Sequence, residues 1–311
     1  MVDVDTFLTA LYVMADDFCS TQLPKQTHPG PDASLSRSEV VALACFGQWG
    51  VFPNESAFYR YAETHLRPFF PTLPDRSQFN RLERDHRDAI ALFSLRFAEL
   101  LNAGKSPFEV LDGTGAPVRH CKRRGEGWLA GQADIGWSNR LGWYEGFHVL
   151  VAVNPEGVIT GFGFAPASTK DQPLAESFLA LRRQPNPRLV SVGEPPKEAY
   201  YYTLADKGFE GRRHHQHWEE TYGAKVICPP KRGERRRWSR PLRRWHASLR
   251  QIVETVNDKL HNVFRLGRER PHDLTGFQAR LAAKVALHNF CIWLNQQLGR
   301  PLLAFADLVA W

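Results

Sequence analysis

Apolar residues recur at helical spacing through the first hundred positions, and short apolar runs replace them further on. Phe7, Leu8, Leu11, Tyr12, Ala15 and Phe18 share one face of a helix over residues 3–18. A loop punctuated by Pro and Gly follows from Leu23 to Ala33. Ser36 and Glu39 stand at capping-box spacing before a helix carrying Val40, Val41, Leu43, Ala44 and Phe46, which stops near Gly47 to Gly50. Asn54 can cap a second short helix through Phe58, Tyr59, Tyr61 and Ala62 to about Leu66. Asp75, with Gln78 three residues later, opens one long helix with Phe79, Leu82, His86, Ile90, Phe93, Phe97 and Leu100 on its face. Asn102-Ala-Gly104 ends it.

Strand-like runs begin after that boundary. Phe108-Glu-Val-Leu-Asp112 reads as a short strand ending in a carboxylate, stopped by Gly113-Thr114-Gly115. Residues 114–143 suggest an irregular hairpin. Phe147 to Val153 and Val158 to Phe164 form a strand pair across Asn154-Pro-Glu-Gly157. A helix over Lys170 to Arg183 and a Pro-rich loop over Gln184 to Lys197 precede Tyr200 to Ala205, a strand that ends in Asp206 and breaks at Lys207-Gly208. Then come a helix from Phe209 to Tyr222, a strand from Ala224 to Cys228, the Glu254 helix, and a last helix from about Thr275 to Leu298. The expected organisation is an all-helical domain, 1–103, and an α/β domain, 104–311. Periodicity alone supports only that class. The element order is also that of a ribonuclease-H-like mixed sheet flanked by helices, in which the first and fourth strands are neighbours.

Three carboxylates, Asp112, Asp206 and Glu254, thus sit at two strand ends and on a helix. Such a set can converge on hard divalent cations, which prefer oxygen ligands. At 100° per residue Trp245, Leu249, Ile252, Val256, Leu260 and Val263 fall on one side of the Glu254 helix, with Arg250, Glu254, Asn257 and His261 on the other, turned to solvent or a cleft.

Composition narrows the picture. The chain has 311 residues, 43% hydrophobic, enough for a large core. It has no apolar run long enough to span a bilayer and no leader pattern near Asp3 and Asp5, so a cytoplasmic protein without a membrane partner is expected. Five scattered cysteines, none in a CxxC pair, argue against a disulfide scaffold or a structural zinc. The net charge of +7 is concentrated: Lys231, Arg232, Arg235, Arg236, Arg237, Arg240, Arg243, Arg244 and Arg250 face one acid, Glu234, within twenty residues. A patch of this kind is the footprint of a polyanion, with a solvated loop or an address tag as the plainer reading. The two short helices before Leu66 have the layout of a helix-turn-helix, and either a DNA-reading element or an ordinary core hairpin fits them. His214, His215 and His217 suit a polar or DNA-facing surface better than zinc. Trp128, Trp137 and Trp143 are expected to pack, with stacking on an unpaired base as the alternative. Asp134 and Asp171 read as capping or loop acids.

Asp112-Gly-Thr, Leu204-Ala-Asp-Lys-Gly-Phe209 and Arg250-Gln-Ile-Val-Glu-Thr255 together resemble the DDE transposases of bacterial insertion sequences, as does Ala167-Ser-Thr-Lys-Asp171. The likeness covers roughly residues 105–265. It implies a ribonuclease-H-like core in which Asp112, Asp206 and Glu254 hold two Mg²⁺ or Mn²⁺ ions. It also implies double-stranded DNA partners, the terminal inverted repeats of the element and its target, and a homodimer or higher oligomer working at the nucleoid. Lys231 to Arg244 would clamp phosphates, and Arg250 would contact phosphate or support the acids. Ala247 and His261 depart from the Tyr and Lys of one branch's signature around the catalytic glutamate, and the interval from Asp206 to Glu254 is too short for the β insertion of some relatives. A metal-dependent nuclease that cuts without joining, and a non-catalytic DNA-binding regulator, are the alternatives.

Overall fold

The computed structural model describes the chain except residues 26–32, 124–128, 183–189, 192–201 and 231–236. Two units emerge, Met1–Phe97 together with Leu260–Trp311, and Ala98–Lys259.

The first unit is helical. A short strand Val2–Asp3 (β1) leads into α1 (Val4–Gln22), which Asp3 caps by accepting the Thr6 N–H, and which buries Phe7, Leu8, Leu11, Ala15 and Phe18. Both halves of the Ser36/Glu39 capping box form at the start of α2 (Arg37–Phe46). Val40 to Phe46 are all buried, so α2 is an interior helix with no free face. Asn54 caps α3 (Glu55–Tyr61), which continues as a π turn to Leu66. The long helix expected after Asp75 is two, α4 (Arg76–Asp85) and α5 (Arg87–Leu100). The helix closes at His86, whose N–H reaches the Leu82 and Arg84 carbonyls, and restarts at once. Apolar spacing survives such a break, because both segments bury the same kind of face.

The second unit is a sheet with helices. β2 (Phe108–Arg119) runs straight through Asp112, which therefore lies mid-strand instead of at a strand end. Gly113 is present for close approach, since a Cβ there would overlap the Nε2 atom of His148. The stretch after it is more regular than expected: β3 (Asp134–Ser138) pairs antiparallel with β4 (Gly142–Val153), which also pairs with β2 and with β5 (Ile159–Pro166). Helix α6 (Asp171–Arg182) and β6 (Val190–Ser191) come next, then β7 (Tyr202–Ala205), α7 (Arg212–Tyr222), β8 (Lys225–Ile227) and α8 (Arg240–Asp258). A 3₁₀ turn, Lys207–Phe209, occupies the expected start of α7. The sheet order is β6-β5-β4-β2-β7-β8, with β2, β7 and β8 parallel and the rest antiparallel. Leaving aside the short outer β6, a three-strand meander followed by two parallel strands, with the first strand beside the fourth, is a ribonuclease-H-like mixed sheet. Leu111, Leu150, Ala152 and Ala205 pack beneath Leu174, Phe178, Phe209 and Trp218 of the α6–α7 side.

The last helix, α9 (Leu274–Gln297), falls in the first unit, whereas the sequence pattern had carried the second domain to residue 311. It is apolar on nearly every side and buried from Leu281 to Ile292, as a central helix must be. Phe290 stacks edge-on against Phe7 at 5.1 Å, and Val309–Ala310 (β9) pairs with β1.

Candidate active site

Parallel pairing of β2 with β7 ends at Leu111 opposite Ala205. Asp112 and Asp206 each lie one residue past that pair and are therefore neighbours across the sheet. Side chains alternate along a strand, so Leu111 enters the core beneath α6 while Asp112 faces α8. There the Arg250 Nη2 donates to Asp112 Oδ1 at 2.9 Å, and the Asn257 Nδ2 donates to Oδ2 at 3.1 Å. Asp206 Oδ1 accepts the Gly208 backbone N–H at 2.6 Å, which sets the 3₁₀ turn behind it.

A third aspartate joins them, one that reads in the sequence as a capping or loop acid and not as a ligand. Asp171 opens α6, and its Oδ1 lies 3.4 Å from His148 Nε2. Asp171 Oδ2 and Asp206 Oδ1 both crowd Gly208, where a Cβ would overlap them. The other ring nitrogen of His148 sits 2.8 Å from the Thr169 carbonyl. Both ring nitrogens thus lie beside oxygen atoms, which fixes the ring between Asp171 and Thr169. The resemblance of Ala167 to Asp171 to a family stretch is the one sequence signal for Asp171; Asn257 shares a helix face with Arg250 and Glu254, and nothing points to His148.

Glu254 is exposed on α8. The buried residues of that helix are His246, Val253, Val256 and Asn257, with Leu249, Arg250 and Ile252 half-buried, while Trp245 is 52% exposed and Leu242 39% exposed. Arg250 and Asn257, expected on a face turned to solvent or a cleft, reach Asp112. Burying that carboxylate without partners would be costly, and the two side chains supply its hydrogen bonds. Burial nevertheless pushes Asp112 up to about 6, with Arg250 opposing the rise and Asp206, Asp171 and Glu254 adding to it. Asp171 is also raised, by burial first and by Asp206, with His148 opposing. All four carboxylates therefore bear on one region.

The donor set suits a hard divalent cation: carboxylate oxygens in excess of local positive charge, with Asp112 held less acidic by burial first and then by its like-charged neighbours. As placed, both Asp112 oxygens are engaged by α8, and no group of three His, Cys, Asp or Glu among the described residues is close enough to hold a metal ion. The zinc reading of the histidine run fares no better. His215 bonds the Phe209 carbonyl, and His217 bonds Glu176 and Thr221.

Of the basic residues, Lys231, Arg232, Arg235 and Arg236 lie outside the described residues, as does Trp128. Arg237, Arg240, Arg243 and Arg244 are exposed in and just before the first turn of α8. Cations there oppose the helix dipole, and no acid in that turn offsets them. Trp137 and Trp143, expected to pack, face each other across β3 and β4 at 56% and 67% exposure.

The sequence matches the family described as transposase DDE domain over residues 104–290. No curated protein matches it. Among solved structures, the crystal structure of a pre-cleavage Mos1 transpososome is similar over 88% of this chain and 84% of that one, at 11% identity and a TM-score of 0.24, too low to bear on fold or site.

Proposed function

The chain belongs to the transposase DDE domain family, and from that we propose a DNA transposase that cleaves the ends of its own insertion sequence and joins the freed 3′-OH ends to target DNA. The observation that carries the assignment of the site is the register of β2 and β7, which makes Asp112 and Asp206 neighbours beneath α8 and Glu254. Asp112, Asp206 and Glu254 are the proposed ligands of Mg²⁺ or Mn²⁺, with Asp171 close by. Bound divalent cations would supply activation of the attacking oxygen and stabilisation of the leaving oxygen in an in-line displacement at phosphorus.

The chain's own groups have separate tasks. Arg250 and Asn257 fix the Asp112 carboxylate and balance part of its charge. Each Asp112 oxygen accepts one of those bonds and keeps a further lone pair with which it would hold a cation. His148, lying over Gly113, orients Asp171. Arg237, Arg240, Arg243 and Arg244 gather positive charge at a helix N-terminus, an arrangement that a phosphate backbone relieves. Trp245, exposed among them, gives the same surface an aromatic face. Joining two element ends at one target needs two such sites, so assembly as a dimer or larger on DNA is part of the proposal.

The test offers labelled element-end DNA, a target plasmid and Mg²⁺ or Mn²⁺ to wild type, Asp206→Ala and Glu254→Ala. Wild type should give 3′-end cleavage and joined product, neither variant should, and all three should bind the DNA. Cleavage without joining would leave a nuclease. Binding without any metal-dependent cleavage on verified ends would remove the enzymatic reading altogether.

A further inference from the structure

The helical unit contains a cavity of about 470 Å³, within the size range of ligand pockets. Arg76, Arg81, Arg84, Arg265, Arg268 and Arg280 are among its lining residues, with Phe58 and Phe79 supplying apolar wall. Some of this charge is neutralised. Arg280 pairs with Glu55 and Glu269, and Arg84 pairs with Asp273 at 3.3 Å. Beneath them Lys284, 1% exposed, is held by Glu269 at 2.7 Å and by Gln48 at 2.6 Å. Arg76, Arg81, Arg265 and Arg268 have no carboxylate partner among the described residues. Arg76 reaches only Ser56, Arg81 only Gln78, and Arg265 the Gly47 carbonyl, with its Nε buried and unpaired.

Two features of this wall are unfavourable as they stand. Arg265 is desolvated and crowded by Arg280 and Arg268, with Glu269 opposing, so its affinity for its proton is lowered. Glu83 lines the cavity at 5% exposure and makes no hydrogen bond or ion pair with its side chain among the described residues. An anion between the arginines would relieve the first. The exposed rim, Arg76, Arg81 and Arg268, lies open to solvent, as a chain-like ligand entering and leaving the cavity requires.

We propose that this cavity binds a backbone phosphate of DNA, as a contact separate from the acidic site and from the arginines of α8. The inference rests on DNA as the partner, but it is read by binding and not by cleavage, so the two can fail independently. Glu83 adds a pH signature. Burial pushes it up to about 7; Arg280 and Lys284 on α9 oppose the rise, and Glu55 on α3 and Glu269 before α9 add to it. A phosphate alongside adds another negative charge, which favours the protonated form. Binding therefore takes up a proton, and affinity falls as pH rises through 7.

The experiment measures affinity of the full chain for a short duplex by fluorescence anisotropy between about 50 and 200 mM salt. Each phosphate contact contributes about 0.9 to the slope of log K against log salt. Replacing the three exposed rim residues together, Arg76→Gln, Arg81→Gln and Arg268→Gln, should remove that one phosphate contact and lower the slope by about 1 while leaving the melting temperature nearly unchanged. Glu83→Gln should abolish the weakening of binding between about pH 6 and pH 8 that wild type shows. A slope unchanged in the triple variant overturns the proposal. So does a pH dependence that survives Glu83→Gln. Inorganic phosphate is added as a separate probe: if it raises the melting temperature of wild type and not of the triple variant, while the DNA slope is unchanged, the cavity holds free phosphate and the DNA contact is refuted.

Discussion

Asp112→Asn should stabilise the fold at neutral pH while ending DNA cleavage. The carboxyl rises from 3.8 to about 6 on folding, chiefly through burial. At about 1.36 kcal/mol per unit, its ionised form costs on the order of 3 kcal/mol. The folded value lies above the unfolded one, so this group's contribution is most favourable below about pH 4 and is lost as pH rises through about 6. Asparagine keeps the shape and accepts from Arg250. Its new N–H can donate to Asn257 Oδ1, which is buried and unpaired in the native site, once that amide turns over. Against this, Arg250 loses its counter-charge at 17% exposure. The advantage of the variant over wild type should therefore grow by about 2 kcal/mol between pH 4 and pH 8. At about 2–4 °C per kcal/mol for a domain of 150–250 residues, that is roughly 4–8 °C. Urea and thermal unfolding in EDTA at the two pH values measure it. A difference that stays flat with pH, or a variant less stable than wild type at pH 8, would refute the account of a carboxylate held in a costly place for chemistry. Added Mg²⁺ should raise the melting temperature of wild type and not that of the variant.

Gly113→Ala should cost about 1–3 kcal/mol and depress cleavage, because the new methyl meets His148 and the ring must shift from Asp171; denaturation and activity measured together test it. Glu269→Gln should destabilise the helical unit by about 3–5 kcal/mol, leaving Lys284 buried without its anion. Restoring much of that loss with Lys284→Met in the same chain would show that the uncompensated ammonium is the cause. Asn54→Ala should cost about 1 kcal/mol through the lost cap on the Ala57 N–H, by urea titration.

Much of this architecture was legible in the chain, for physical reasons that differ by element. Helix starts at Ser36, Asn54 and Asp75 were readable because capping is local: a short polar side chain meets an N–H two or three residues on. The Asn154-Pro-Glu-Gly157 turn was readable because Gly157 takes a positive φ of 88°. The run of β2 through Asp112 was not, because a glycine that ends a strand and one that lets a neighbouring ring cross it look alike in sequence. Nor was the place of α9, since its all-round apolarity says that it is central without saying to which core.

The site shows the same division between local and distant causes. Asp112 and Asp206 could be paired in advance because the strand order makes their neighbourhood a matter of topology. The orientation of α8 was legible only in part: Val256 of its apolar stripe is fully buried and Leu249 and Ile252 half-buried, but Trp245 is left in solvent. Burying Leu242 and Trp245 would gain about 25 cal/mol per Å² of apolar area, but an inward-facing Asp112 without donors would cost several kcal/mol. Arg250 and Asn257 reach that carboxylate from the same helix, and an exposed aromatic among arginines is what remains. A helix that leaves a tryptophan in solvent while it holds a buried acid in place, beside three further acids, is shaped by demands other than stability. It is at such a place, where local preference and the fold disagree, that function is expected to lie.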